Sequence, residues 1–133
     1  MKKFLISIDQ GTTSSRVILF DVRGNIKFIS QFEFKQYFPQ NGWVEHNPNE
    51  IWSTTLKALK KVIKKASVLK GKIISLGITN QRETTILWNK KTGKVIYNAT
   101  VWQDRRTQKY CEKLKKKNYE KKFRKKTGLF IDP

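Results

Sequence analysis

A mixed α/β domain, in which an antiparallel meander is joined through a crossover helix to a parallel strand, is the fold that this 133-residue sequence predicts. Three observations predict it. Apolar runs at 4–8, 17–21 and 26–34 are strand-like and separated by turn formers, with Arg23-Gly24-Asn25 as the tight turn between the last two. Asn47-Pro48-Asn49-Glu50 then supplies an N-cap, a proline at the first helical position and an acid at the third, close to a capping box. Finally, Ile73-Ile74-Ser75-Leu76-Gly77-Ile78 is almost continuously apolar, the pattern of a strand buried on both faces after a crossover helix.

Between the third strand and the helix lies a loop of turn formers, Pro39-Gln40-Asn41-Gly42, which leads into an exposed-looking Trp43 and Val44-Glu45-His46. Within the helix, Trp52, Leu56, Leu59, Ile63 and Ala66 recur at helical steps and form one apolar stripe. Lys57, Lys60, Lys61, Lys64 and Lys65 take the opposite face. Beyond the buried strand, residues 84–88 and 95–99 flank the turn 89–93 and predict a second hairpin. A basic helix to about Lys117 and a second helical stretch over 119–126, closed by Thr127-Gly128, complete the order of elements.

Composition narrows the function. A hydrophobic content of 38% supports one folded domain, and no repeat or low-complexity linker interrupts it. The single Cys111 allows no internal disulfide and fits a reducing, cytoplasmic setting. The start imitates a signal peptide, but Asp9 ends the apolar run after five residues, and no other run suffices to span a bilayer. Net charge is +19, yet only six of the 29 basic residues are arginine, the residue preferred for bidentate phosphate recognition and base readout. Solvated lysine faces are therefore expected rather than a nucleic-acid surface. The competing reading, a basic nucleic-acid-binding or interaction module, is tested by salt-sensitive binding of arbitrary DNA or RNA.

The densest chemistry lies at 9–16, Asp9-Gln10-Gly11-Thr12-Thr13-Ser14-Ser15-Arg16, between two apolar runs. One carboxylate, four hydroxyls, a glycine and an arginine are what phosphate oxyanions and their metal would ask of a hairpin. An ordinary polar turn uses the same residue types. At the end of the buried strand stand Arg82 and Glu83, which could offer donors and acceptors to a polyhydroxylated ligand or simply form a surface ion pair. Trp102 could supply an apolar face to ligand carbons or belong to the core, and Asp104 could accept a proton, hold a metal or cap a helix. His46 is the only histidine, which excludes a histidine metal cluster, and no Walker string occurs.

Taken in order, D-Q-G-T-T-S-S-R at 9–16, G-W-V-E-H-N-P at 42–48, I-T-N-Q-R-E-T-T at 78–85 and W-Q-D-R-R-T at 102–107 closely resemble the glycerol kinases of the FGGY carbohydrate kinase family. The resemblance runs from the first strand to Pro133. It implies an actin-like, ribonuclease-H-like fold and transfer of the ATP γ-phosphoryl group to a terminal hydroxyl of glycerol. By the same resemblance, Thr12, Thr13 and Ser14 would touch nucleotide phosphates, Arg16 would aid them, and Asp9 would position Mg²⁺ and phosphate. Arg82 and Glu83 would bind glycerol hydroxyls, with Trp102 packed on its carbons. Glycerol and ATP/ADP are the partners so implied, a homo-oligomer of the full-length protein is left open, and another polyol or sugar is the alternative acceptor.

Residues 1–133 would correspond to a partial amino-terminal kinase domain, since members of the family are much longer. No catalytic residue is expected in this chain: the base, the adenine pocket and a second, nucleotide-clamping domain would lie beyond Pro133. The expectation is weak or no ligand binding and no turnover by residues 1–133 alone, with apolar surface left uncovered and prone to association.

Overall fold

In a computed structural model, which describes residues 1–133, the chain opens with three long strands: β1 (Lys2–Gln10), β2 (Ser14–Asp21) and β3 (Ile26–Glu33). Two short ones, β4 (Gln36–Tyr37) and β5 (Glu45–His46), lead into helix α1 (Pro48–Val68) and strand β6 (Gly71–Thr79). Strand β7 (Ala99–Thr100) precedes helices α2 (Gln108–Lys116) and α3 (Tyr119–Thr127). The main sheet has the order β3-β2-β1-β6, with β1 antiparallel to β2 and parallel to β6. The meander, crossover helix and parallel strand thus stand as the sequence predicts.

Alternation explains the meander. Phe4, Ile6 and Ile8 of β1 and Val17 and Leu19 of β2 point to one buried face, where Ala58, Val62 and Ala66 of α1 complete the core. Gly71 opens β6 under the Phe4 ring: a Cβ there would fall 2.0 Å from it, so the close approach requires glycine. Asn47 caps α1, accepting from the Asn49 amide at 2.9 Å, and Pro48 occupies the first turn. Glu50 does not close the capping box. It accepts instead from the Lys35 amide at 3.1 Å and the Tyr37 hydroxyl at 2.5 Å, which ties the helix start to β4.

Several expectations are corrected. Of the expected stripe of α1, Ala66 is buried and Leu59 packs against the core, but Trp52 is 64% exposed and Ile63 46%, and Ala58 and Val62 complete the buried face. Small side chains let the helix lie close on the sheet, so contact distance outweighs the size of the apolar group in choosing the face. Lys57 and Lys61 do not point away: their ammonium groups sit 4.4 and 4.8 Å from the Phe32 ring, and Lys65 lies 5.8 Å from that of Phe28. Strand β6 is not buried on both faces. It is an edge strand, paired on β1 alone, with Ile74, Leu76 and Ile78 exposed.

A second sheet, β4-β5-β7, was not legible as such, because its strands are two residues each. Trp43 is half-buried, with the Arg106 guanidinium 3.8 Å over its ring. The hairpin over 84–99 is reduced to bridges at Thr85–Thr100 and Trp88–Val95. No helix is long and apolar enough to cross a membrane.

Candidate active site

Parallel pairing of β1 with β6 puts Asp9 opposite Thr79, so both strands deliver their carboxyl ends to one edge of the sheet. The segments leaving the two strands therefore meet in space. A cavity of about 310 Å³ opens there, with Asp9, Gln10, Gly11 and Thr12 on one wall, Asn80, Gln81, Arg82 and Glu83 on the other, and Trp102 between them. The Trp102 indole N–H donates to the Thr12 hydroxyl at 3.1 Å, tying it to the first wall across 90 residues of sequence.

Most of the 9–16 motif is strand, not loop; only Gly11, Thr12 and Thr13 connect β1 to β2. Gly11 keeps a negative φ. Its requirement is space, since a Cβ would lie 3.2 Å from the Ser14 carbonyl that accepts the Gly11 amide at 3.0 Å. The amides of Thr12 and Thr13 donate to no group of the chain. Two unspent donors beside the Thr12 and Thr13 hydroxyls form a concavity suited to an anion.

The other polar groups of the motif are differently placed. Ser14 is buried and accepts from the Gln31 amide at 2.9 Å, and Arg16 donates to the Gln31 oxygen at 2.8 Å. Arg16 also approaches Asp9 at 3.8 Å, a loose pair whose partners are both over two-fifths exposed. Ser15 is sealed inside, bonded to Gln10, while Thr55 of α1 donates to the same Gln10 oxygen at 2.7 Å. Gln10 is thus clamped to the helix. Of the eight residues singled out by sequence, Asp9, Thr12, Arg82, Glu83 and Trp102 line the cavity, while Thr13, Ser14 and Arg16 stand beside it.

Arg82 and Glu83 form no ion pair with each other. Both side chains are exposed to the cavity mouth, and Glu83 holds a left-handed φ of 49°. Such a conformation costs a bulky residue on the order of 1–3 kcal/mol and recurs where a side chain must be aimed. Asp9 and Glu83 are the cavity's carboxylates and Arg82 its cation, so the site offers acceptors, a cationic donor and an indole face together.

A buried ionic knot supports Trp102. Arg106 donates to both Asp104 oxygens at 2.8 Å and to Glu45 at 2.8 Å; Glu45 also accepts from Tyr97 at 3.1 Å and Asn98 at 3.0 Å. Asp104 further accepts the Val44 amide at 2.7 Å, so it is neither a helix cap nor a cavity ligand. Burial would raise both carboxyls, but the Arg106 bonds and their neighbours overcome it and leave each below its ordinary value. His46, fully buried, is pushed below the ordinary imidazole value by burial, with Gln81 and Glu50 opposing.

These shifts share one sign. The folded chain refuses a proton at His46 that the unfolded chain takes below about 6.5, and it resists protonation of Glu45 and Asp104 at their ordinary 4.5 and 3.8. The unfolded state binds more protons, so stability is expected to fall continuously as pH drops from about 7.5 through these values. Thermal melts at constant ionic strength read this directly, and a melting temperature that rises on acidification would refute it.

Sequence reasoning missed Gln10, Asn80 and Gln81 as lining residues, and Glu45, His46 and Arg106 as the frame behind them. Their signal was adjacency: each lies within or next to one of the four quoted motifs.

Residues 4–133 match the N-terminal domain of the FGGY family of carbohydrate kinases. Among solved structures, Plasmodium falciparum glycerol kinase with ADP is similar at 35% identity and a TM-score of 0.89, over 98% of this chain and 26% of that one. Gluconate kinase from Lactobacillus acidophilus superposes with a TM-score of 0.90 at 20% identity, over 100% of this chain and 26% of that one. Xylulose kinase from the same organism gives 0.89 at 21% identity, over 98% and 26%. At those lower identities the likeness is one of fold, and the chain spans about a quarter of the length of each structure. With the family's domain matched over nearly every residue and its fold reproduced, the chain belongs to the FGGY family of carbohydrate kinases.

Proposed function

We propose that this chain carries the phosphate-binding and acceptor-binding walls of an ATP-dependent glycerol kinase. The observation that supports it best is the cavity itself, which the 9–12 hairpin, Arg82, Glu83 and Trp102 line together, with Trp102 bonded to Thr12. ATP fits the hairpin wall: the unspent amides and hydroxyls of Thr12 and Thr13 suit phosphate oxygens, and Asp9 offers the hard oxygen that Mg²⁺ or its waters prefer. The nucleotide supplies the phosphoryl group. Arg82 donates to acceptor hydroxyls, Glu83 accepts from them, and Trp102 covers the carbons and excludes water. Ser14 and Arg16, linked through Gln31, brace the hairpin from its far side. Phosphoryl transfer depends on positioning and charge stabilisation, which such a clamp supplies.

Glycerol is preferred over larger acceptors because the glycerol kinase structure stands at 35% identity while the gluconate and xylulose kinases stand at 20% and 21%. The test is ADP release with glycerol, xylulose and gluconate as acceptors, using the protein at its native length. Glycerol-dependent release is the expected result. A higher kcat/KM for xylulose or gluconate would overturn the glycerol assignment, and so would release with none of the three; absence of release with a wider panel of polyols and sugars would overturn the kinase reading.

A further inference from the structure

His46, the one histidine of the chain, is completely buried and meets Phe34 edge-on at 5.1 Å. Its neighbours determine which nitrogen holds the proton. The Gln36 nitrogen donates to the carbonyls of Thr12 at 3.2 Å and Phe34 at 3.3 Å. Carbonyls only accept, so this end of the amide is the NH₂ group and the Gln36 oxygen is what faces His46 Nε2. Nε2 must then carry the proton, and Nδ1 is left as an acceptor. Nδ1 is buried with no hydrogen-bond partner, as are both polar atoms of the Gln81 side chain. Buried amides are rarely left so.

We propose that His46 is a positioning residue whose Nδ1 receives the Gln81 amide, so that Gln36, His46 and Gln81 form a relay from the Thr12 carbonyl to the turn carrying Arg82 and Glu83. Its consequence for catalysis rests on the kinase reading of those two walls; its existence does not. Each link has one donor and one acceptor, so the relay holds only with neutral, Nε2-protonated imidazole. Gln81 precedes Arg82 directly, and anchoring its side chain fixes the strained turn at Glu83 relative to the hairpin. The groups around the ring are Gln36 from β4, Phe34, Glu50 of α1 and Gln81. The Glu50 charge opposes the effect of burial, and so does Gln81 through its amide oxygen; the relay requires the Gln81 amide to turn its NH₂ group to Nδ1 instead.

With a single histidine, ¹⁵N-histidine NMR of the ligand-free chain reads the relay without any assumption about substrate. The expected spectrum at pH 7 is that of neutral imidazole protonated on Nε2; a proton on Nδ1 overturns the proposal. Gln81→Glu puts a carboxylate opposite Nδ1 and is expected to convert His46 to imidazolium at pH 7. Gln81→Met is expected to leave Nε2 protonated, shift the Nδ1 resonance, and move the Thr12 carbonyl resonance at the far end. Unchanged histidine signals in both Gln81 variants would also overturn it. Arg82→Ala, which leaves all three relay residues in place, is the control and should leave the His46 spectrum as in the parent. Absence of acceptor-dependent ADP release from the parent protein at its native length, with the relay spectrum intact, would instead count against the kinase reading alone.

Discussion

Replacing Arg106 with alanine is expected to unfold the chain or bring it to the edge of unfolding. The guanidinium is the only cation within reach of Glu45 and Asp104, whose side chains are 2% and 3% exposed. Removing it leaves two buried carboxylates without a counter-charge, and breaking such a pair from one side costs about 3–5 kcal/mol. Small domains are stable by roughly 5–15 kcal/mol in total, so the loss is a large fraction of what there is. Trp43 loses the group stacked 3.8 Å above its ring at the same time. Arg106→Lys should rescue little, because an ammonium cannot reproduce the three donor contacts made by a planar fork. A triple variant, Arg106→Met with Glu45→Gln and Asp104→Asn, should recover part of the stability by removing the stranded charges. Thermal or urea melts at pH 7 decide the matter, and a midpoint for Arg106→Ala equal to that of the parent would mean that water already pairs these carboxylates.

Arg82→Ala is expected to do the opposite, leaving stability alone and damaging acceptor binding. Arg82 is exposed, pairs with no carboxylate of the chain, and only its backbone carbonyl is engaged, weakly, by the Thr84 hydroxyl at 3.4 Å. A surface change of this kind moves stability by no more than about 0.5 kcal/mol. A charged hydrogen bond to an acceptor hydroxyl is worth about 1.5–3 kcal/mol, so kcat/KM for glycerol should fall on the order of 10- to 200-fold. The penalty for an acceptor lacking the bonded hydroxyl should shrink by the same factor, because the variant no longer has a donor to strand. Kinetics of the native-length protein with glycerol and its deoxy analogues measures both. An unchanged kcat/KM would place the acceptor away from Arg82.

Together the two variants separate the frame from the working face. Arg106, Glu45 and Asp104 hold the short sheet and the turn that presents Trp102; Arg82, Glu83 and Thr12 face the cavity. The frame was hard to read because its members are scattered and ordinary. Glu45 and Arg106 are 61 residues apart, and a lone acid and one arginine among 29 basic residues announce no pairing. Strands of two residues carry no periodicity, so the sheet that brings them together left no pattern. The cavity face was partly legible: Asp9, Thr12, Arg82 and Glu83 stand in polar turns beside apolar runs, within motifs that resemble the family, whereas Gln10, Asn80 and Gln81 of the same stretches carry no charge to single them out.

Helix α1 shows the same division at the level of packing. Its start was readable from Asn47 and Pro48, which act on backbone groups within one turn. Its buried face was read only in part, because Trp52 and Ile63 are larger than Ala58, and only the packing of α1 on the sheet shows that Ala58 and Val62 face the core.

What the sequence determined by itself is local: strand alternation in the meander, the capped helix, and the polar composition of each turn, all set by neighbours a few residues away. What the tertiary structure decided is which turns meet. The parallel pairing of β1 with β6 brings Asp9 level with Thr79, and the Arg106 knot places Trp102 against Thr12. Pairing register and buried charge are properties of contacts between distant segments, and no local pattern contains them.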